Sequence, residues 1–339
     1  MKLLTIVIPV YNMEKYLRRC LDSILIDDIR EDLEVLAVND GSKDNSVAII
    51  REYELRYPDI VHLIDKENGG HGSTINAGLK EATGKYFRVL DSDDWFDTLA
   101  FISYITKLKK CDEDLIVTPY TVEYVYNGRQ VSYNYKWLEH NRTIPQEEII
   151  YDGHDQYFTI HSSTFKTDVL REAHLRLYEK CFYVDMQYII MPIPYVKTVR
   201  VLDDTVYRYY IGRPEQSMSP ESMKRNFPQH QKVLVWVIDF YAANRTSLPD
   251  NIANYIAQIA QFMYYTHLNL IRNNRKNRLN AYKNLVKLES HVKDVAPELY
   301  TRLASYPYLR QSRKINYINI LAFDKSFFKI VDYRQKHRH

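Results

Sequence analysis

The chain has 339 residues, 45% hydrophobic and 26% charged, values ordinary for a soluble protein of two domains or one large domain with an extension. No run reaches the roughly 20 apolar residues of a membrane-spanning helix. The N-terminus lacks a signal-peptide pattern, and the three scattered cysteines, Cys20, Cys111 and Cys181, form neither a disulfide framework nor a zinc site. The expectation is a reduced, cytoplasmic protein.

Along the first ninety-odd residues, strand-type and helix-type segments alternate. Residues 3–10 read as a strand and 14–26 as a helix. Residues 33–38 and 61–65 are further strands, 45–56 and 73–81 further helices, and 85–90 a fourth strand. Alternation with near-continuous apolar strands predicts a mainly parallel sheet covered by helices on both faces. A helix at 99–109 and a strand at 114–118 follow. Alternating runs at 121–126 and 130–135 flank Asn127-Gly128, a strong hairpin signal. Residues 163–173 and 183–191 read as helices, the second ended by Pro192 and Pro194, and 199–202 and 205–210 as short strands. From about residue 220 the pattern is helical, with Val233, Trp236, Val237, Phe240 and Tyr241 on one face. Ile252, Tyr255, Ile256, Ile259, Phe262 and Met263 share another.

In a sheet of this kind the strand C-termini open on one edge, where ligands bind. The segments there are Pro9-Val10-Tyr11-Asn12, Asn39-Asp40-Gly41-Ser42, residues 66–72 and Asp91-Ser92-Asp93-Asp94-Trp95. All the conspicuously polar or glycine-bearing segments of this half therefore fall on one rim. Asp91 and Asp93 stand two apart at a strand end, so both can face one ion, or one can hold a metal while the other orients a hydroxyl. Mg²⁺ binds through one or two carboxylates plus substrate phosphates. The third acid, Asp94, is expected to cap the helix that follows. Asp40 can accept from ribose hydroxyls or a base N–H, and a rigid turn bearing Tyr11 can support a planar base. The glycines of Asn68-Gly69-Gly70-His71-Gly72-Ser73, ahead of the helix carrying Asn76, can present N–H groups to an anion. His71 has no second His or Cys at ligand spacing and is not read as a metal ligand. No G-x-G-x-x-G follows the first strand, which argues against a dinucleotide-binding enzyme.

Taken together, Ile8-Pro9-Val10-Tyr11-Asn12, Asn39-Asp40-Gly41-Ser42-Lys43-Asp44-Asn45-Ser46, Asn68-Gly69-Gly70 and Asp91-Ser92-Asp93-Asp94 closely resemble family 2 glycosyltransferases of the GT-A fold. The resemblance is dense over residues 4–97 and thins out to about residue 219. It implies a Rossmann-like α/β catalytic domain over 1–219, with a nucleotide-binding half at 1–97 and an acceptor-binding half at 98–219. A helical C-terminal domain would span 220–339. It also implies inverting transfer from a UDP-sugar to a hydroxyl of a cell-surface glycan, glycoprotein or teichoic-acid-type acceptor. By the same resemblance, Asp93 holds Mg²⁺ or Mn²⁺ on the donor diphosphate, with Asp91 beside it. Pro9, Tyr11 and Asp40 hold uridine, with Asn12, Asn68, Asn76 and Ser92 completing the nucleotide site. Asp185, in Tyr183-Val184-Asp185-Met186, is the general base, although Val184 stands where the family commonly has Glu. Arg213 and Ser217 close over the diphosphate. Rival readings are a nucleotidyltransferase, which would carry a basic glycine-rich loop after the first strand, and a non-catalytic nucleotide-sugar-binding subunit.

The net charge of +3 is uneven. Residues 271–339 hold 16 Lys+Arg against 5 Asp+Glu, and the rest of the chain 30 against 38, so the two parts meet different things. Three expectations compete for the basic part: a solvated helical domain that supports a homo-oligomer, peripheral docking on the anionic face of the plasma membrane, and a grip on an anionic polymer acceptor. Nucleic acid is not expected as a partner, because rim carboxylates repel phosphate without a metal.

Overall fold

Seven consecutive buried residues, Leu4–Val10, form the first strand (β1) of the computed structural model, which describes residues 2–151, 156–212, 216, 219–273 and 278–318. β1 lies between β2 (Leu33–Asp40) and β4 (Tyr86–Val89), with β3 (Val61–Lys66) beyond β2, all parallel. Burial on both faces explains the unbroken apolar run. Leu4, Ile6 and Ile8 join one core with Leu17 and Leu21 of α1 (Leu17–Asp22) and Ile49, Ile50 and Tyr53 of α2 (Ser46–Arg56). On the opposite face Val7 meets α3 (His71–Glu81) at Gly78, where a Cβ would come within 2.5 Å of the valine. Glycine there lets the helix lie directly on the strand.

Past β4, the two-residue β5 (Trp95–Phe96) leads into α4 (Thr98–Leu108). The helix is capped by Asp97, whose side chain accepts from the Ala100 N–H, and not by Asp94. Then come β6 (Leu115–Val117), the hairpin β7 (Tyr120–Tyr124) and β8 (Gln130–Tyr133), and β9 (Thr143–Pro145). They are followed by β10 (Ser163–Lys166), α5 (Thr167–Glu172), α6 (Asp185–Ile190), β11 (Thr198–Val201) and β12 (Tyr207–Ile211). The main sheet runs β3-β2-β1-β4-β10-β6-β11-β9, and a second runs β5-β12-β7-β8. The mainly parallel α/β architecture is the expected one. Three local expectations fail. Residues 163–166 are the antiparallel strand β10, wedged between β4 and β6, and the helix begins only at Thr167. The helix expected over 14–26 shrinks to α1. Pro9 is a buried strand residue registered with Val38 of β2, and β4 pairs with β1 only as far as Val7. Its missing N–H therefore faces a side of β1 that has no ladder.

The chain divides into two compact units, one running to Tyr151 and again over Phe158–Gln216, the other taking the remainder. The second is helical: α7 (Pro220–Arg225), α8 (Phe227–Asn244), α9 (Asp250–Asn273), α10 (Arg278–Val295), α11 (Pro297–Leu303) and α12 (Pro307–Lys314). Val233, Val237, Tyr255, Ile256, Ile259 and Leu285 fill its core, whereas Phe262, on the flank of the apolar face, stays 41% exposed. Its buried Glu289 accepts from Arg313 at 2.7 Å, from the Tyr317 hydroxyl at 2.6 Å and from Tyr264, so the buried charge is paired. No helix among the described residues is long and apolar enough to cross a membrane.

Candidate active site

The rim is tied together by Asp40, the last residue of β2. Its carboxylate accepts from Lys66 Nζ at 2.8 Å and from the Gly69 and Gly70 N–H groups at 2.8 and 2.7 Å. The Asn68 amide donates to its backbone oxygen at 3.0 Å. Burial pushes the Asp40 carboxyl up, but Lys66 and the two N–H groups outweigh it and hold it below the usual range. Gly70, at φ +80°, takes a conformation few side chains tolerate. Asn12, itself at φ +55°, accepts from the Lys43 N–H at 2.8 Å and joins the end of β1 to the loop after β2. Asp40, Asn68 and Asn12 thus stand on the expected rim and shape its loops. Tyr11 presents its ring at 45% exposure.

The carboxylates after β4 have three distinct environments. Asp91 is partly exposed and shares a 2.8 Å hydrogen bond with Nε2 of His71. Ser92 is buried. Asp93 is partly exposed, and its backbone oxygen accepts from Arg19 at 2.8 Å. The Arg19 guanidinium lies over the Trp95 ring at 3.8 Å. Asp94 is fully buried and accepts from the Tyr207 hydroxyl and the Tyr210 N–H, each at 2.7 Å. Burial, then the charge of Asp91, drives its carboxyl well above the ordinary range. Ligand atoms of Asp91, Asp94 and His161 lie within 4.8 Å of one another, while Asp93 is not in that cluster. Burial pushes the His161 imidazole down to about 4, so it is neutral at physiological pH. Both carboxylate oxygens of Asp94 are already committed, one to the Tyr207 hydroxyl and one to the Tyr210 N–H. Asp91 and Asp93, both partly exposed, carry oxygen donors of the hard type that could hold Mg²⁺ or Mn²⁺.

Asp185 opens α6 and reaches the site through the preceding segment, which is docked on the glycine loop. Asn76 donates to the Leu177 carbonyl at 2.9 Å and accepts from the Leu177 N–H at 2.8 Å. The Lys180 N–H donates to the Gly69 carbonyl. A Cβ on Gly72 would sit 2.2 Å from the Tyr178 oxygen, so only glycine permits this approach. Lys180 and Tyr183 have φ of +51° and +66°, a strain that persists where surroundings over-determine the backbone. Burial pushes the Asp185 carboxyl up to about 6, with His71 pulling it down and Asp91 adding to the rise. Asn76, expected at the nucleotide, has its amide oxygen and nitrogen on Leu177 and acts as a clamp. Arg213 and Ser217 lie outside the described residues.

Several residues of this constellation escape sequence reasoning. Tyr207 and His161 are separated from Asp91 by 116 and 70 positions and carry no local signal. His71 has no partner at metal spacing, yet its position just after Gly-Gly and at a helix start marks it as rim-facing. Lys66, at the end of β3, neutralises Asp40 and is readable from its place on the rim.

Residues 5–172 match the family model for glycosyl transferase family 2. The glycosyltransferase GlyA of Streptococcus pneumoniae is 37% identical over 117 residues, 34% of this chain and 16% of that protein. The minor teichoic acid biosynthesis protein GgaB of Bacillus subtilis is 41% identical over 91 residues, 26% of this chain and 10% of that protein. The chain thus matches only a small part of the length of these curated relatives. The crystal structure of S. aureus TarS 1–349 in complex with UDP-GlcNAc covers all of this chain and 93% of its own, with a TM-score of 0.64 at 20% identity, a likeness of fold. Through the domain at residues 5–172, the chain belongs to glycosyl transferase family 2.

Proposed function

We propose that this glycosyltransferase moves a sugar, with inversion, from a UDP-sugar to a hydroxyl of a cell-surface glycan, glycoprotein or teichoic-acid-type polymer. The observation that supports the reading is the docking of residues 177–180, which lead into Asp185, on the glycine loop whose His71 bonds Asp91. Two carboxylates of opposite duty, one for the acceptor proton and one for the leaving diphosphate, are what a single-displacement transfer requires. The UDP and teichoic-acid parts draw on TarS, solved with UDP-GlcNAc, and on GgaB.

Asp185 takes the proton of the acceptor hydroxyl as that oxygen attacks the anomeric carbon, on the face opposite the departing UDP. At about 6 its carboxyl is a stronger base than an unperturbed one, yet still ionised at neutral pH. Mg²⁺ or Mn²⁺ held by Asp93, with Asp91 beside it, would neutralise charge on the diphosphate. Tyr11 supports the base, and Pro9, Asn12, Asp40, Asn68 and Ser92 shape the nucleotide pocket. Arg213 and Ser217, by the family resemblance, would donate to the diphosphate. The basic helical unit suits an anionic acceptor, a membrane face or a second copy of the chain. A panel of UDP-sugars scored by UDP release, with and without EDTA, tests the reading. One donor should stand out and EDTA should abolish its turnover. UDP release from no member of the panel would refute the donor class, and full activity in EDTA would remove the metal.

A further inference from the structure

His71 has no part in the mechanism above, yet four devices converge on its placement. Gly70 precedes it at φ +80°, and Asp40 holds the N–H groups of Gly69 and Gly70. The Lys180 N–H is bonded to the Gly69 carbonyl, and α3, which begins at His71, is seated on β1 through Gly78. The imidazole so placed donates or accepts at 2.8 Å with Asp91 Oδ1. It is also the charged neighbour that Asp185 feels most. Its side chain is 33% exposed, so it is not a core group that merely needs a partner. Burial alone would lower its affinity for a proton, but the charge and hydrogen bond of Asp91, with Asp185 and Asp40 beyond, raise it.

We propose that His71 is a positioning residue that bridges the two sides of the site: its Nε2 holds Asp91, while its loop is bonded at Gly69 and packed at Gly72 against residues 178–180, the segment leading to Asp185, and so it sets the separation between the leaving-group side and the base side. Carboxylates brought to one rim repel each other, and a polar ring bonded to one of them holds it in place. The hydrogen bond to Asp91 and the backbone seam to residues 178–180 couple the start of α3 to the segment that opens α6. This inference rests on the glycosyltransferase reading for its catalytic consequence and on the geometry alone for the bridge.

The test uses the full chain with His71→Leu and His71→Gln. Leucine keeps apolar volume without a donor, and glutamine restores a neutral N–H donor at similar reach. A group that positions reacting atoms within a fraction of an ångström is worth about 10- to 100-fold in rate. His71→Leu should therefore lower kcat by that factor, with the donor KM and UDP affinity by calorimetry within threefold of wild type, and His71→Gln should recover part of the loss. A kcat within threefold of wild type for His71→Leu, a parallel loss of UDP binding, or a glutamine variant no better than leucine would overturn the proposal. A second arm does not depend on turnover. In imidazole ¹⁵N-labelled protein the His71 ring resonances should shift in both Asp91→Asn and Asp185→Asn. No response to Asp185→Asn would overturn the bridge whether or not the protein transfers sugar. Absence of turnover in wild type, with both shifts present, would refute the enzyme reading and leave the bridge standing.

Discussion

Asp185→Asn removes a carboxylate that burial has pushed from an ordinary 3.8 to about 6 in the folded protein, and stability should record the change as well as activity. Each tenfold difference in proton affinity between the folded and unfolded states corresponds to about 1.36 kcal/mol, which sets a ceiling of about 3 kcal/mol; partial exposure of the side chain reduces the expected gain to about 1–2 kcal/mol. The sign follows from the direction of the change. The folded state binds the Asp185 proton more tightly than the unfolded chain, so the group's stabilising contribution is complete below about pH 4 and is lost as pH rises through about 6. Asparagine mimics the neutral acid and never incurs that loss. Urea unfolding at pH 8 should then show the variant more stable than wild type, with the advantage shrinking toward zero near pH 4. UDP release at pH 8 should fall by about 10²- to 10⁴-fold, as expected for the loss of a general base, with the deficit narrowing below pH 6 as wild type loses its ionised base. A variant no more stable at pH 8, or equally advantaged at both pH values, would refute the desolvation argument. Retained turnover would remove Asp185 from the role of base.

In wild type, kcat/KM should rise with pH through about 6 and level off above it, because the base acts only when ionised; a rate flat between pH 5 and 8 would count against this. Asn76→Ala leaves the Leu177 N–H and carbonyl without their partners and should cost about 2–3 kcal/mol in chemical denaturation. Its kcat should fall more than its UDP affinity, since the clamp serves the Asp185 segment; an unchanged midpoint would show that water replaces the amide. Gly72→Ala drives a methyl against the Tyr178 carbonyl at 2.2 Å. It should yield insoluble protein or a melting temperature lowered by several degrees, and a wild-type melt would disprove the close packing.

The parallel half of the sheet was legible because burial on both faces writes itself as unbroken apolar runs, as in Leu4–Val10 and Leu33–Asp40. Strand β10 was not. Its four residues, Ser163–Lys166, are too short to display a period and run straight into a true helix, and their strand character comes from β4 and β6, some 75 and 50 positions earlier. The acids after β4 announced themselves by mutual repulsion, but their division of labour did not. Asp94 is buried because Tyr207 and Tyr210 of β12 arrive to satisfy it, a pairing invisible from residues 91–97. The helix cap fell to Asp97 for the same reason, since Asp94 is occupied elsewhere. Asp185 was found through family resemblance alone; its altered basicity is a property of the folded surroundings.

The seam between the glycine loop and residues 177–181 bears on how such enzymes can be recombined. Gly69, Gly72 and Asn76 meet Lys180, Tyr178 and Leu177 at their backbones. These contacts read shape and carbonyl position and do not depend on the partner's side chains. A chimaera that exchanges residues 1–97 for those of a relative would keep its fit only if the incoming loop preserved glycine at position 72 and a carboxamide at position 76. The donor-side half and the segment carrying Asp185 are therefore a single exchangeable part, although eighty residues of chain separate them.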